Sequence, residues 1–345
     1  MVGMAHRFPV REIARQAGVS EATVDRVLHG RPGVRPGTVL QVEQAIAELD
    51  VQRGQLRLSG RQFMIDVVME TPQRFSTLTR RALEAELPGL RPAVFRARYR
   101  VAERWRLPEL IAELDRIARR GSHGVLLKAP DVPEIADAIG RLARAGVPVI
   151  TLVTDVPTSL RLAYVGMDNR AAGATAAYLL NRFLGADRAP VLVITSGDDF
   201  RGESEREIGF RQALTGLDPE RKVIAVTSDG LDATSRLRVA RVLDGCARTA
   251  VYSIGGGNRG IAEAFAAAGC DCAAFVAHDL TPDNVELLRD GVITVVLHHE
   301  LRADLRSAAR ALMGFHGALP EHRPRPAAAT VVTPYNLPGE SVGGH

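Results

Sequence analysis

Residues 10–30 read Val10-Arg-Glu-Ile-Ala-Arg-Gln-Ala-Gly-Val-Ser20-Glu-Ala-Thr-Val-Asp-Arg-Val-Leu-His-Gly30, two short helical patterns on either side of Gly18-Val19-Ser20. In the first, over Val10–Ala17, Ile13, Ala14 and Ala17 share one face. Gly18 permits a tight turn, and Ser20 suits the cap of the next helix. That helix covers Glu21–Leu28. At about 100° per residue, Val24, Val27 and Leu28 cluster on one side. The opposite side is centred on Ala22, Arg26 and His29, flanked by Glu21, Thr23 and Asp25. A short helix with an apolar inner face and this outer face fits a major groove. A third helix is expected over Pro36–Leu49, with Val39, Val42, Ile46 and Leu49 at helical spacing.

Charge points the same way. Residues 1–61 hold nine arginines against six acids. The net charge of the chain is only +4, but Lys128 and Lys222 are its only lysines. Guanidinium groups suit bidentate contacts to phosphates and base edges. The hydrophobic share of 46% and charged share of 24% are those of a globular chain, which excludes long disorder. No N-terminal apolar run has the length of a signal peptide, and no segment nears the roughly 18–20 apolar residues that span a bilayer. A cytoplasmic protein with no membrane partner is expected. Cys246, Cys270 and Cys272 are too few for a disulfide framework and read as small buried hydrophobes.

The quoted stretch, continued through Thr38 to Leu49, resembles the DNA-binding headpiece of the lactose-repressor (LacI/GalR-type) family. The resemblance implies double-stranded operator DNA as a partner. It places Glu21, Ala22 and Arg26 at base edges and Thr23 and His29 near phosphates, with Ser20 and Arg31 beside them. Two positions depart from the family. Asp25 stands where a phosphate-contacting serine is usual, so its charge needs Arg26 or another arginine to neutralise it. Gly60 stands where the family's hinge helix carries its minor-groove leucine, within a segment, Asp50–Arg61, that reads as a polar, Gly-containing linker.

Beyond Arg61 short β-branched runs alternate with amphipathic helices. Strands are expected over 63–70, 93–99, 124–128, 147–153, 163–166, 191–195, 223–227, 250–254, 273–277 and 294–297, with helices between them. Alternation of this kind means right-handed βαβ units and parallel sheets. Ten strands are too many for one compact open sheet, and two successive sheets split near Ala163 fit better. Such sheets bind ligands at the carboxyl ends of their strands. The polar or aromatic residues that follow strands are Gln73, Phe75, Ser76, Lys128, Asp131 and Asp155, then Asp168, Asn169, Asp198, Arg206, Asn258, Asp279 and His299. Carboxylates and amides can meet vicinal hydroxyls, arginine adds a planar fork, and Phe75 can stack on a C–H face.

This part is similar to periplasmic sugar-binding proteins and to the effector domains of the same repressor family. Tyr164-Val-Gly-Met-Asp168-Asn169-Arg170, followed by Gly173, resembles the family's crossover into a second lobe. Arg206-Glu-Ile-Gly209-Phe210 resembles its Arg-x-x-Gly-Phe motif, whose arginine holds the ligand. Asp279 matches the strand-end aspartate that meets ligand hydroxyls, and His299 falls where a glutamine is frequent. At Gly255-Gly256-Gly257-Asn258 the family's usual Asn-Asp is absent, and Asn258 is the candidate to replace it. The implied effector set is Phe75, Lys128, Asp155, Asp168, Arg206, Asn258, Asp279 and His299, for a sugar or polyol.

Three other patterns carry less. Gly255-x-Gly257-x-x-Gly260 has a dinucleotide spacing but comes late in the chain. His298-His299-Glu300 lacks the convergence a metal needs, because neighbours on a strand point apart. Ser196 and Ser204 have no nucleophile-elbow context. No cofactor, metal or catalytic group is expected. The expectation is an α/β chain: an all-α helix-turn-helix headpiece (1–50), a linker (51–61) and a type I, two-lobed periplasmic-binding-protein-like domain (62–338), then a tail (339–345). The first lobe would take 62–163 and 298–326, the second 164–297 and 327–338. A ligand-controlled repressor acting as a homodimer is the leading reading. A cytoplasmic sugar-binding protein without DNA function and an α/β enzyme on a sugar are the alternatives.

Overall fold

The structure, a computed structural model, describes residues 7–58, 60–90, 93–197 and 199–338. Asp198 and the expected tail 339–345 lie outside the described residues.

Three helices open the chain: α1 (Val10–Ala17), α2 (Glu21–Leu28) and α3 (Pro36–Leu58). Gly18 ends α1 with φ of 65°, and the Ser20 side chain caps α2 by accepting from Thr23 N. Ile13, Ala14 and Ala17 pack with Val24 and with Val42, Ala45 and Leu49 of α3, and Phe8 closes the cluster. The helix expected to stop at Leu49 runs nine residues further, through most of the expected linker. No proline interrupts residues 50–58, and all but Gly54 and β-branched Val51 tolerate a helix well. Gly60, at φ +74°, has the left-handed backbone that follows helix ends.

The rest of the chain forms two sheets. The first joins β1 (Gln62–Glu70), β2 (Val94–Ala102), β3 (Gly124–Lys128), β4 (Val149–Leu152) and β5 (Ala163–Val165), in the order β2-β1-β3-β4-β5. All its pairings are parallel. The second joins β6 (Val191–Thr195), β7 (Val223–Thr227), β8 (Arg248–Ser253), β9 (Asp271–His278), β10 (Val295–His298) and β11 (Thr330–Val332), in the order β11-β10-β9-β8-β6-β7. Only β11 is antiparallel. Strands such as β3, β4 and β6 are apolar apart from Lys128, Thr151 and Thr195, because helices cover both faces.

In the first lobe those helices are α4 (Gln73–Glu86), α5 (Leu107–Arg120), α6 (Pro133–Arg144) and α12 (Leu301–Phe315). In the second they are α7 (Asn169–Leu184), α8 (Arg201–Leu217), α9 (Asp232–Val242), α10 (Asn258–Ala268) and α11 (Pro282–Arg289). The chain changes sheet after Val165, slightly later than expected, because Tyr164 and Val165 still pair with Thr151 and Leu152. It returns at α12, whose Leu305, Ala308 and Leu312 enter the first lobe's core, and crosses again beside Ala327, which bridges to Met167.

One packing detail positions the site. Helices α7 and α8 touch backbone to backbone. A Cβ on Gly173 would stand 1.9 Å from Arg206 O, and one on Gly209 2.1 Å from Arg170 O. This contact sets where α8 presents Arg206. Among the described residues no helix is long and apolar enough to cross a membrane.

Candidate nucleic-acid interface and ligand cleft

Helix α2 buries Val24 and exposes Glu21, Ala22 and Arg26, with Ser20, His29 and Arg31 exposed at its two ends. Thr23 is half-buried, its Oγ1 2.8 Å from Ser20 Oγ, so its hydroxyl belongs to the cap. Asp25 is neutralised, but not by Arg26. Its carboxylate accepts from Arg31 Nη1 at 3.0 Å and lies 3.1 Å from His29 Nδ1. Arg26 forms no ion pair among the described residues, and its Nη1 lies 3.7 Å from where a Cβ on Gly33 would be. The fork is therefore free to meet a base edge.

A cavity of about 310 Å³ lies between the carboxyl ends of the two sheets. Of the eight effector candidates, Phe75, Lys128, Arg206, Asn258 and Asp279 line it, and Asp155, Asp168 and His299 do not. Those three are already engaged by the protein. Asp155 accepts from Arg161 Nη2 and Thr151 Oγ1, each at 2.6 Å. Burial alone would raise its pKa, but those bonds outweigh burial and hold it below the usual carboxylate value. Asp168 caps α7, accepting from Ala171 N. His299 is buried behind Asp279, its Nδ1 2.5 Å from Asp304 Oδ2 and its Nε2 3.9 Å from Asp279 Oδ1.

Asn258 borders the cavity with both ends of its amide already engaged, one N–H and one lone pair remaining. Its Oδ1 accepts from Ser253 Oγ at 2.5 Å, and its Nδ2 donates to Asn284 Oδ1 at 2.7 Å. Asn284 in turn donates to the carbonyls of His278 and Asp279, each at 2.8 Å. This chain fastens the β9–α11 turn, where Asp279 sits at φ +66°. Val153, at the end of β4, is the other described non-glycine residue with positive φ, at 68°. Both line the cavity, and strained backbone of this kind costs about 1–3 kcal/mol unless its surroundings hold it. At Val153 they do: Tyr164 Oη and Asn169 Nδ2 donate to its carbonyl at 3.2 and 3.3 Å.

Arg206 is 4% exposed. Its Nε donates to Asn169 Oδ1 at 2.8 Å, which links the cavity to the Val153 carbonyl beside the crossover. Lys128 reaches across the cleft. Its Nζ donates to Glu70 O at 2.8 Å and sits 4.2 Å from the centroid of the Phe200 ring on the other lobe. Arg74 Nη2 donates to Gly230 O at 2.5 Å, and Asp131 N to Asp199 O at 2.9 Å, so the lobes touch on both sides of the cavity. Arg74, Glu70, Arg104, Phe200, Glu203 and His278 line the cavity but were not singled out in the sequence. Glu70, Arg74, Arg104 and His278 sit within about four residues of strand ends, the signal that could have found them, whereas Phe200 and Glu203 belong to the start of α8.

Burial pulls the Lys128 pKa down to about 8, against the opposing pull of Glu203 and Glu70. A free lysine titrates near 10.4. The unfolded chain therefore binds the extra proton more readily, and enclosing the ammonium costs stability below about pH 8. That cost fades as pH rises to about 10. Lys128→Met is expected to raise stability by about 2 kcal/mol at pH 7 and by almost nothing at pH 10. Urea unfolding at both pH values checks this, and an equal gain at each would contradict it.

Comparison with known proteins agrees with this geometry. Residues 10–53 match the family model of bacterial regulatory proteins, lacI family, and residues 93–313 match that of the periplasmic binding protein domain. No curated protein matches the chain significantly. Among solved structures, GanP, a glucose-galactose binding protein from Geobacillus stearothermophilus, aligns at 18% identity and TM-score 0.70 over 81% of this chain and 99% of its own. A solute binding protein from Burkholderia graminis, in complex with D-arabinose, gives 20%, 0.71, 82% and 99%. A protein described as a LacI transcriptional regulator from Bacteroides fragilis gives 15%, 0.69, 80% and 98%. At these identities the likeness is one of fold. The matching families are regulators and binding proteins rather than enzymes. With a helix-turn-helix at one end and a two-lobed cleft at the other, the chain belongs to the periplasmic binding protein domain family and carries a lacI-family DNA-binding domain, the make-up of a transcriptional regulator.

Proposed function

We propose that the protein is a repressor whose hold on operator DNA is set by a sugar-like or polyol molecule bound between the lobes. One observation carries the reading: the cavity is walled by both lobes, and the Arg206–Asn169–Val153 chain runs from it to the crossover that joins them. A ligand that prefers one closure angle biases the other end of the molecule by its differential affinity, typically about 1–3 kcal/mol. A cavity of 310 Å³ suits one small ligand. Solved proteins of this fold hold D-arabinose, D-allose and alpha-D-tagatopyranose. A homodimer would present two α2 helices to a pseudo-palindromic operator. Ser20, Glu21, Ala22, Arg26, His29 and Arg31 are the proposed contacts, and Phe75, Lys128, Arg206 and Asp279 the proposed ligand groups.

The test begins with an operator selected from randomised duplexes. Arg26→Ala is expected to weaken binding to it by about 5- to 150-fold, or roughly 1–3 kcal/mol, with little change on random duplex. Equal operator affinity in the two proteins would reject the base-reading role. Thermal-shift screening against sugars, polyols and sugar acids identifies the effector, because a ligand of the native state raises the melting point.

A further inference from the structure

Several hydrogen-bond donors line the cleft among its carboxylates, and the buried His278–Tyr252 pair fixes one of them. Tyr252 is fully buried, and its hydroxyl has one partner, His278 Nε2 at 2.9 Å. His278 is 6% exposed and lines the cavity. Burial, then the charge of Arg206, keeps the imidazole neutral. A neutral ring has one N–H and one bare nitrogen. If Nε2 carried the proton, the Tyr252 hydroxyl would be a buried donor with no acceptor. The favoured arrangement has Tyr252 donating to Nε2, which leaves the imidazole proton on Nδ1. That nitrogen is buried and has no partner among the described residues.

Four cations border the same cavity, and two of them, Arg206 and Lys128, keep N–H bonds to spare. Arg206 donates through Nε to Asn169 and through Nη1 to Ile254 O at 3.5 Å, which leaves Nη2 with no partner among the described residues. Lys128 uses one of its three N–H bonds, on Glu70 O. Neither forms an ion pair among the described residues, though enclosed charge is normally paired. Glu203 carries its charge near Lys128 but points its oxygens at Ser196, accepting from its N and Oγ at 2.7 and 2.5 Å. Asp279 is one of several acceptors on the wall, with Glu70, Asp199 and Asp229 among the others, and it directly follows His278 in the chain.

We propose that the ligand is a polyhydroxy carboxylate, with its carboxylate on Arg206, Lys128 and the Nδ1–H of His278 and its hydroxyls toward Asp279. A hydroxyl can accept from one of these donors but brings a proton of its own; a carboxylate brings only acceptors. The inference rests on the cleft being the effector site. Tyr252 is a positioning residue here: it touches no ligand and sets which imidazole nitrogen holds the proton.

The full-length protein is titrated calorimetrically with D-glucuronate, D-galacturonate and D-gluconate, and with D-glucose, D-galactose and D-sorbitol. At least one acid is expected to bind 10-fold or more tightly than its neutral counterpart. His278→Phe should cut that acid's affinity at least 5-fold. Tyr252→Phe should shrink the acid-to-neutral ratio, a readout that a purely structural role would leave unchanged. Nitrogen-15 spectra of the imidazole should show the proton on Nδ1 in the parent protein. Neutral members binding as well as the acids, in an Arg206-dependent way, would overturn the inference and leave the effector reading intact. No binding by any acid overturns the inference too, and silence from all six counts against both.

Discussion

Arg206→Ala protein is expected to hold operator DNA as the parent does and to have lost its response to effector. The guanidinium is buried and lines the cavity, and it forms no ion pair among the described residues. Hydrogen bonds to charged groups contribute about 1.5–3 kcal/mol each, so losing two costs roughly 100-fold or more in affinity. Folding stability should change far less. Asn169 Oδ1 loses its donor, but an enclosed unpaired charge is removed, and the two effects oppose. Arg206→Lys restores charge without the planar fork and should recover only part of the affinity. Calorimetry with the identified effector decides the matter, and an unaltered dissociation constant in Arg206→Ala would refute the assignment.

The largest loss of stability is expected from Gly209→Ala. In most helices this change gains up to about 1 kcal/mol from propensity. Here the new Cβ would lie 2.1 Å from Arg170 O and 2.9 Å from its carbonyl carbon, both backbone atoms that cannot swing aside. Helices α7 and α8 must part, opening the apolar contact around Ala176, Ala177, Leu180 and Phe210. A net loss of about 3 kcal/mol or more is expected, a fall of roughly 10 °C in melting temperature for a domain of this size. Gly216 is the internal control. It lies on the same helix with nothing within 4 Å of its would-be Cβ, so Gly216→Ala should be neutral or stabilising. If both variants melt alike, close approach of the helices is not what Gly209 serves.

Most of the fold was legible because its signals are local. The 3.6-residue spacing in α1 and α2, the cap at Ser20 and the turn at Gly18 each need only a few neighbouring residues. The apolar strand runs and the helices between them announced the parallel sheets in the same way. The boundary of α3 was misread because a linker and a helix differ little in composition when no proline is present; the end of the helix is marked by Gly60 rather than by Leu49. In the cleft, strand-end position pointed to Phe75, Lys128, Arg206 and Asp279, which line the cavity. It could not separate them from Asp155, Asp168, Asn258 and His299, which occupy equivalent positions along the chain.

The sequence by itself determined the elements, their order and the pool of polar groups near the ends of the strands. Helix and strand patterns depend on contacts within about one turn or one pleat, and those are written in neighbouring letters. The tertiary structure decided which of those groups stay unengaged. Asp155 is taken by Arg161, Asn258 by Asn284, and His278 is oriented by Tyr252, 26 residues away. A side chain's hydrogen-bonding capacity is finite, so its availability to a ligand depends on partners that only folding brings within reach.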